Sequence, residues 1–491
     1  MSTKQIATST FWQIGSQAVM AILSAVSAKF VAMALSKELA GMYNTSYSYL
    51  QLFAILADFG LYAVSVREVS IATDKRRVLG ALITLRSIIA TVSLGTAITI
   101  AWIVPAWRGT PLPIGISIAA LVPFFTLLAG VLRTTFQISY AMHYVFIAEV
   151  LQRILTTALM AGIIVMGVRL SSDVAVFQAF LWIGALGALL LLVLSVVFSV
   201  RLLPLSFVFD RSLLMNLLRN AMPYGVAFLC IALYRQFDLT MIAALRPQDF
   251  AIQNALYGFA TRIAEMTYLV PTFLLNSTLP ILSDRAAKGE STKAMLGKTL
   301  LMILVICCSS AFFALLWPTP IMRLLTTDAY LETPGVPGSD TALRLLSAPM
   351  ILNGVVLFSF YVLLTRHRWK PLVAAMIIAV GISIGCNLLW IPAHGFLGAI
   401  RTSTVVHLFL AITLLPMAIR TMPMSFPVSY VVRLAVFLSL LHIALRFTAH
   451  LPQTTLQSLE ALLLGGLFTG LIALLCGFHG IFASGDRPLK A

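Results

Sequence analysis

The stretch from Val174 to Val200 carries no acidic or basic residue, and neither does Ile114–Leu132. Each is long enough to cross about 30 Å of hydrocarbon at about 1.5 Å per helical residue. In lipid every backbone N–H and C=O must find its partner inside the segment, so such stretches fold as helices. They recur from end to end, and spans are read near 8–33, 42–65, 80–104, 113–134, 142–167, 174–200, 220–244, 251–280, 298–317, 342–365, 371–392, 396–419, 429–447 and 458–479. The chain is 60% hydrophobic and only 10% charged, whereas soluble domains average about 25% charged residues. The expected class is therefore an all-α integral membrane protein with about fourteen transmembrane helices. The first apolar run has span length and lacks a small-residue cleavage site, so it reads as a helix rather than a leader.

The formal charge of +16 invites a nucleic-acid reading, but its distribution argues against one. With the amino terminus inside, most of the 33 Lys and Arg fall on the inner loops and tails, including Arg67, Lys75, Arg76, Arg77, Arg285, Lys288, Lys293 and Arg366. The outer loops hold only Lys37, Arg108, Arg169, Arg246, Arg323, Arg344 and Arg446. This is the positive-inside asymmetry, and it places both termini in the cytoplasm of a bacterial inner membrane protein. The five cysteines, Cys230, Cys307, Cys308, Cys386 and Cys476, all lie inside spans without metal-ligand spacing, as small apolar filler.

Arg67–Arg77, Arg201–Arg219 and Asp284–Lys298 mix charged and apolar residues at helical spacing and read as amphipathic segments on the inner surface. The second follows six spans and is a natural divide. The expected organisation is an N-lobe over 1–200, a linker over 201–219, a C-lobe over 220–420, and a last helix pair with a cytoplasmic tail over 421–491. An offset of 210 residues supports the divide, because it aligns Gly15 with Gly225, Asn44 with Asn254 and Tyr47 with Tyr257. Six spans is an even number, so two such halves share one orientation about an axis along the membrane normal.

Two stretches carry a family likeness. One is Gly41–Ser70, with Asp58-Phe59-Gly60-Leu61 and the trailing Arg67; the other is Tyr234–Ser283, with Arg235 and Asp238 followed by ALYGFATRIAEMTYLVPTFLLNSTLPILS. The chain resembles the polysaccharide (O-antigen-type) flippases of the multidrug/oligosaccharidyl-lipid/polysaccharide (MOP) exporter superfamily. The resemblance implies two six-helix lobes in a V, plus two C-terminal helices. It also implies a cargo of undecaprenyl-diphosphate-linked oligosaccharide, carried from the cytoplasmic to the periplasmic leaflet for surface polysaccharide synthesis. The bilayer and the lipid-linked glycan are then the partners, a polymerase or ligase machinery could be another, and a monomer is expected.

Charges inside spans are the best local signal, since each costs a few kcal/mol at mid-membrane and needs a partner or a wet cavity. Arg153, Arg235 and Arg262 lie roughly 14–17 Å from the nearer span end, near the midplane. Each has a carboxylate at helical spacing: Glu149, Asp238 and Glu265. Two readings stay open. The pairs could be self-neutralised and structural, or the guanidinium groups could face a cavity and grip a lipid diphosphate through their planar forks. Lys29 and Arg86 sit closer to span ends, where snorkelling explains them, although both could join a cationic cavity. Asp58 has no cation within one turn, which makes it a candidate for coupling to protons or Na⁺; Glu265 and Asp238 are further candidates. His407, in mid-span, reads as a satisfied interior residue. No cofactor is expected beyond such an ion.

Asp58-Phe59-Gly60 looks like a kinase triplet but lies in an apolar span, and Gly297-Lys298-Thr299 lacks the glycine a phosphate-binding loop needs. A transporter rather than an enzyme is expected. The alternatives are a lipid II or multidrug exporter of the same fold and, further off, a membrane-embedded glycosyl- or phosphotransferase, for which no clustered carboxylates are present.

Overall fold

The computed structural model describes residues 3–288, 290–366, 368–425, 428–448 and 454–478. The tail expected beyond the last span, from residue 479, lies outside the described residues. The fold is all helical: α1 Thr3–Ala34, α2 Lys37–Asp58, α3 Leu61–Ile71, α4 Lys75–Ile103, α5 Leu112–Ala119, α6 Leu121–Ile138, α7 Met142–Val165, α8 Val174–Val200, α9 Arg211–Gln236 and α10 Asp238–Leu245. There follow α11 Phe250–Thr267, α12 Leu269–Ala287, α13 Lys293–Leu316, α14 Pro318–Leu325, α15 Ser339–Thr365, α16 Trp369–His394, α17 Phe396–Thr421, α18 Val428–Thr448 and α19 Thr455–Leu475. Short polar side chains start several of them. Ser36 accepts from Leu39 N, Asp74 from Arg77 N, and Asp173 from Ala175 N, which satisfies donors that have no partner in a first helical turn.

Ten helices among the described residues are long and apolar enough to cross a membrane, and eleven if the bent α9 is counted. The chain is thus a multi-pass membrane protein, but the fourteen expected spans are not all continuous. The span read at 8–33 is α1, whose apolar part covers Val19–Ala34. The span at 42–65 is split into α2 and α3, and the one at 251–280 into α11 and α12. The span at 220–244 is also interrupted, between α9 and α10, and α9 itself bends by 49° between Arg211–Met222 and Tyr224–Gln236.

The break after α2 has a definite cause. Phe59 (φ 39°) and Gly60 (φ 73°) are both left-handed, a region that costs a residue with a side chain about 1–2 kcal/mol. Gly60 lies against the backbone of α9. A Cβ there would come within 2.6 Å of Gly225 N and 2.7 Å of Ala221 O.

Contacts divide the chain into two compact units, Met1–Gly258 and Phe259–Ala491. The division falls within the eighth expected span rather than at 201–219, because α9 packs on α2, α3 and α4, and α10 packs on α2. In the first unit α1 also packs on α7, and α6 and α7 pack on α8; in the second α15 packs on α13 and α17, and α16 on α17. The last helix pair seats on α13 and α14, where Trp317 Nε1 donates to Leu445 O at 2.8 Å.

The linker is not one amphipathic helix. Residues 203–210 form no helix, and only then does α9 begin, capped by Asp210, whose carboxylate accepts from Ser212 N and Leu213 N. Leu203, Leu205 and Val208 pack onto a core of Leu79, Leu82, Leu214 and Leu217. The strap is fastened to α4: Val208 N donates to Thr84 Oγ1 at 3.2 Å, and Arg77 meets Asp210 at 2.7 Å.

The 210-residue offset has a physical counterpart inside the first unit. Asn44 Nδ2 donates to Asn254 O at 3.3 Å, Asn254 Nδ2 donates to Thr45 Oγ1 at 2.8 Å, and Gly41 lies so close to the Ala251 backbone that no side chain fits. Residues related by the offset therefore face one another at two positions of one helix crossing. That is the self-complementary contact a two-fold relation produces.

Candidate functional site

Within the first unit, α2, α3, α6 and α9 line a half-open cavity of about 540 Å³. Its polar lining is Tyr47, Gln51, Asp58, Tyr62, Thr126, Arg235 and Gln236, set among apolar side chains such as Leu50, Ile55, Leu127 and Phe228. This falls in the size range of small-molecule sites, which combine apolar walls with a few placed polar groups. Two of the residues singled out from sequence, Asp58 and Arg235, are brought together here.

Asp58 ends α2. Contrary to the expectation of an unpaired carboxylate, it forms an ion pair with Arg86 of α4, whose Nη1 also approaches the Asp58 main-chain oxygen at 3.4 Å. No search of Asp58's own helix could find this cation. The break strips the last carbonyls of α2 of their helical donors, and a guanidinium from a neighbouring helix supplies one where negative charge accumulates. Arg86 is correspondingly not a snorkelling residue: it is 3% exposed, while a quarter of the Asp58 side chain remains open.

Arg235 lies in the last turn of α9. Its expected partner Asp238 starts α10 beyond the break, is 3% exposed, and accepts from Tyr257 Oη at 3.1 Å. The i,i+3 relation assumed for this pair is therefore not one along a continuous helix. Glu149, expected to neutralise Arg153 one turn on, bonds across to Arg133 of α6 at 3.0 Å. Arg153 on α7 and Lys29 on α1 are half-buried, and neither lines this cavity.

In the second unit, the Arg262 guanidinium stands 5.7 Å from the centre of the Phe259 ring, a cation–π contact in the second half of α11. Glu265 is exposed. His407 is buried, with Nδ1 2.7 Å from Ser403 O.

Sequence reasoning missed Gln51, Gln236, Tyr62 and Arg133. Gln51 carried a usable signal, because an amide in mid-span needs a wet face or a polar partner as a charge does. Arg133 carried less, since it sits at a span end, where a cation is ordinary.

The polysaccharide biosynthesis protein family matches residues 6–285. Comparison with curated protein sequences finds no match. Among solved structures, the lipid II flippase MurJ in its inward closed conformation superposes with a TM-score of 0.66 at 14% identity, over 97% of this chain and 98% of that one. An inward-facing multidrug resistance MATE family transporter of the MOP superfamily gives 0.61 at 12% identity, over 84% and 98%. A MOP superfamily transporter from Pyrococcus furiosus gives 0.59 at 13% identity, over 85% and 96%. At such identities the likeness is one of fold, and the fold is that of the MOP superfamily. The family match covers more than half of the sequence and includes every residue that lines the cavity, so the chain belongs to the polysaccharide biosynthesis protein family.

Proposed function

We propose that this protein is a flippase which moves an undecaprenyl-diphosphate-linked oligosaccharide from the cytoplasmic to the periplasmic leaflet by alternating access. The observation that carries the reading is the cavity itself: a guanidinium, Arg235, and a carboxylate, Asp58, held from behind by Arg86, share a chamber inside the family-matched region of a membrane-spanning chain. A planar fork with several donors matches phosphate oxygens, while Gln51, Gln236 and Tyr62 offer the amides and aromatic face that suit sugar hydroxyls. In this reading Arg235 contacts cargo, and Arg86 acts behind Asp58 by holding it. Arg262, Arg153 and Lys29 serve as further cations along the path. Asp58 couples the cycle to a proton or Na⁺ if the pair with Arg86 opens, and Asp238 and Glu265 are secondary candidates for that role. The protein works as a monomer in a bacterial inner membrane, with both termini cytoplasmic, alongside a glycan polymerase or ligase.

Deleting the chain is expected to abolish surface polysaccharide while lipid-linked repeat units accumulate on the cytoplasmic side. Arg235→Ala should reproduce that defect at normal membrane abundance, and Arg235→Lys should restore it only partly. Full activity of the lysine variant would remove the two-pronged phosphate contact.

A second reading, export of lipid II, is favoured by one observation: the likeness to the lipid II flippase runs over 97% of this chain, α18 and α19 included. Rescue of a lipid II flippase deletion by this protein, with surface polysaccharide unaffected by its own loss, would decide for it.

A further inference from the structure

The strap over residues 203–210 buries one side and bares the other. Leu203, Leu205 and Val208 pack inward, whereas Phe207 is 80% exposed and Phe209 77% exposed. Two bare phenylalanines two residues apart on a rigidly tied segment contribute nothing to the core. The ties are short and specific: Ser206 lies against Gly80, Val208 bonds Thr84, and Asp210 bonds Arg77.

Those ties set the height of the strap. Gly80 and Thr84 lie five and nine residues into α4, which starts at Lys75, or roughly 8–14 Å along its axis. The headgroup layer accounts for roughly 5–8 Å on each side of a bilayer. With the exposed Lys75 and Arg76 taken as the outer edge of the headgroup layer, the strap and its two rings fall where headgroups give way to acyl chains. Around it stand exposed cations: Arg201 and Arg211 at the ends of the helices it joins, α8 and α9, and Lys75 and Arg76 at the start of α4, on which it packs. Apolar wedges at the acyl boundary with cations at headgroup height are the two halves of an interfacial anchor for anionic lipid.

We propose that residues 201–211 form an anionic-phospholipid site in the cytoplasmic leaflet, with Phe207 and Phe209 between acyl chains and Arg201 and Arg211 on lipid phosphates. The site is independent of the cargo and rests on the proposed orientation, with both termini cytoplasmic.

The test uses full-length protein in vesicles of phosphatidylglycerol and phosphatidylcholine. Phe207→Trp and Phe209→Trp add an indole whose emission is read as the difference from the parent. Both side chains are bare, so unchanged melting temperatures are expected. The added emission should be quenched by phosphatidylcholine brominated near the top of its acyl chains and spared by aqueous iodide. Quenching by iodide alone would overturn the proposal, because the rings would then face water or a soluble partner. Separately, Arg201→Gln with Arg211→Gln should weaken the preference for bound phosphatidylglycerol over phosphatidylcholine, read by mass spectrometry of the purified protein, by about thirtyfold. An unchanged lipid ratio would also overturn it.

Discussion

Asp58 and Arg86 lie 28 positions apart, on different helices, and each explains the other. The guanidinium satisfies both the carboxylate and the carbonyl end of a helix that stops there, so removing it strands two acceptors at once. Arg86→Ala is expected to destabilise the protein by about 2–3 kcal/mol, seen as a lower melting temperature in detergent. Arg86→Ala with Asp58→Asn should recover part of the loss, and equal melting of the two variants would show that the pair contributes nothing. A second residue-scale prediction lies outside the spanning helices. Asp210 is held at about 2, below its ordinary 3.8, chiefly by the Ser212 hydroxyl, with help from Leu213 N and the Arg77 guanidinium. A carboxyl depressed in the folded state stabilises it fully above the unfolded value, and that contribution fades as pH falls from near 4 through 2. Melting temperature should therefore drop over that window more in the parent than in Asp210→Asn; parallel curves would contradict the assignment.

Among elements, α8 and the broken α2–α3 pair mark the two extremes of legibility. The bounds of α8, Val174–Val200, are those read directly from charge-free sequence, because a helix in lipid needs nothing but apolar side chains and its own backbone bonds. The α2–α3 break was not legible, since Phe-Gly inside an apolar run is tolerated in many continuous spans. What made it a break is the backbone of α9 lying against Gly60. Gly60→Ala should cost about 2–4 kcal/mol, combining a left-handed conformation with overlap at Gly225. Ala221→Gly should leave stability within about 1 kcal/mol of Gly60→Ala alone when the two are combined, because the Gly225 contact persists. Both are checked by thermal unfolding in detergent. The strap was half legible: a loop dividing the chain after the sixth expected span was read from sequence, but its lack of regular helix was not. Pro204 favours extension of its predecessor, but the packing of Leu203, Leu205 and Val208 on α4 and α9 decided the rest.

For the whole molecule, the final helix pair gives the sharpest prediction. α18 and α19 cover Trp317, and Phe437, Leu441 and Leu445 are buried against it and its neighbours. A chain ending after Met422 would expose that cluster and leave the Trp317 indole N–H without its carbonyl. Its membrane abundance, followed by a fluorescent fusion, is expected to fall severalfold. Normal abundance would mean that the pair is dispensable for folding and belongs to the transport step. The offset repeat operates at the same scale. Asn44 and Asn254 aligned in sequence and then proved to touch, a relation no composition argument could foresee.

The sequence alone determined the helical class, the membrane as solvent and the family likeness. Each of these depends on side-chain polarity summed over a stretch of chain, which a linear string records in full. Tertiary structure decided where helices break, that Asp58 is answered by Arg86 rather than by a neighbour one turn away, and that Arg235 shares its chamber. Those outcomes depend on which backbones approach closely enough to forbid a side chain or supply a missing donor, and such approaches join residues far apart in the chain.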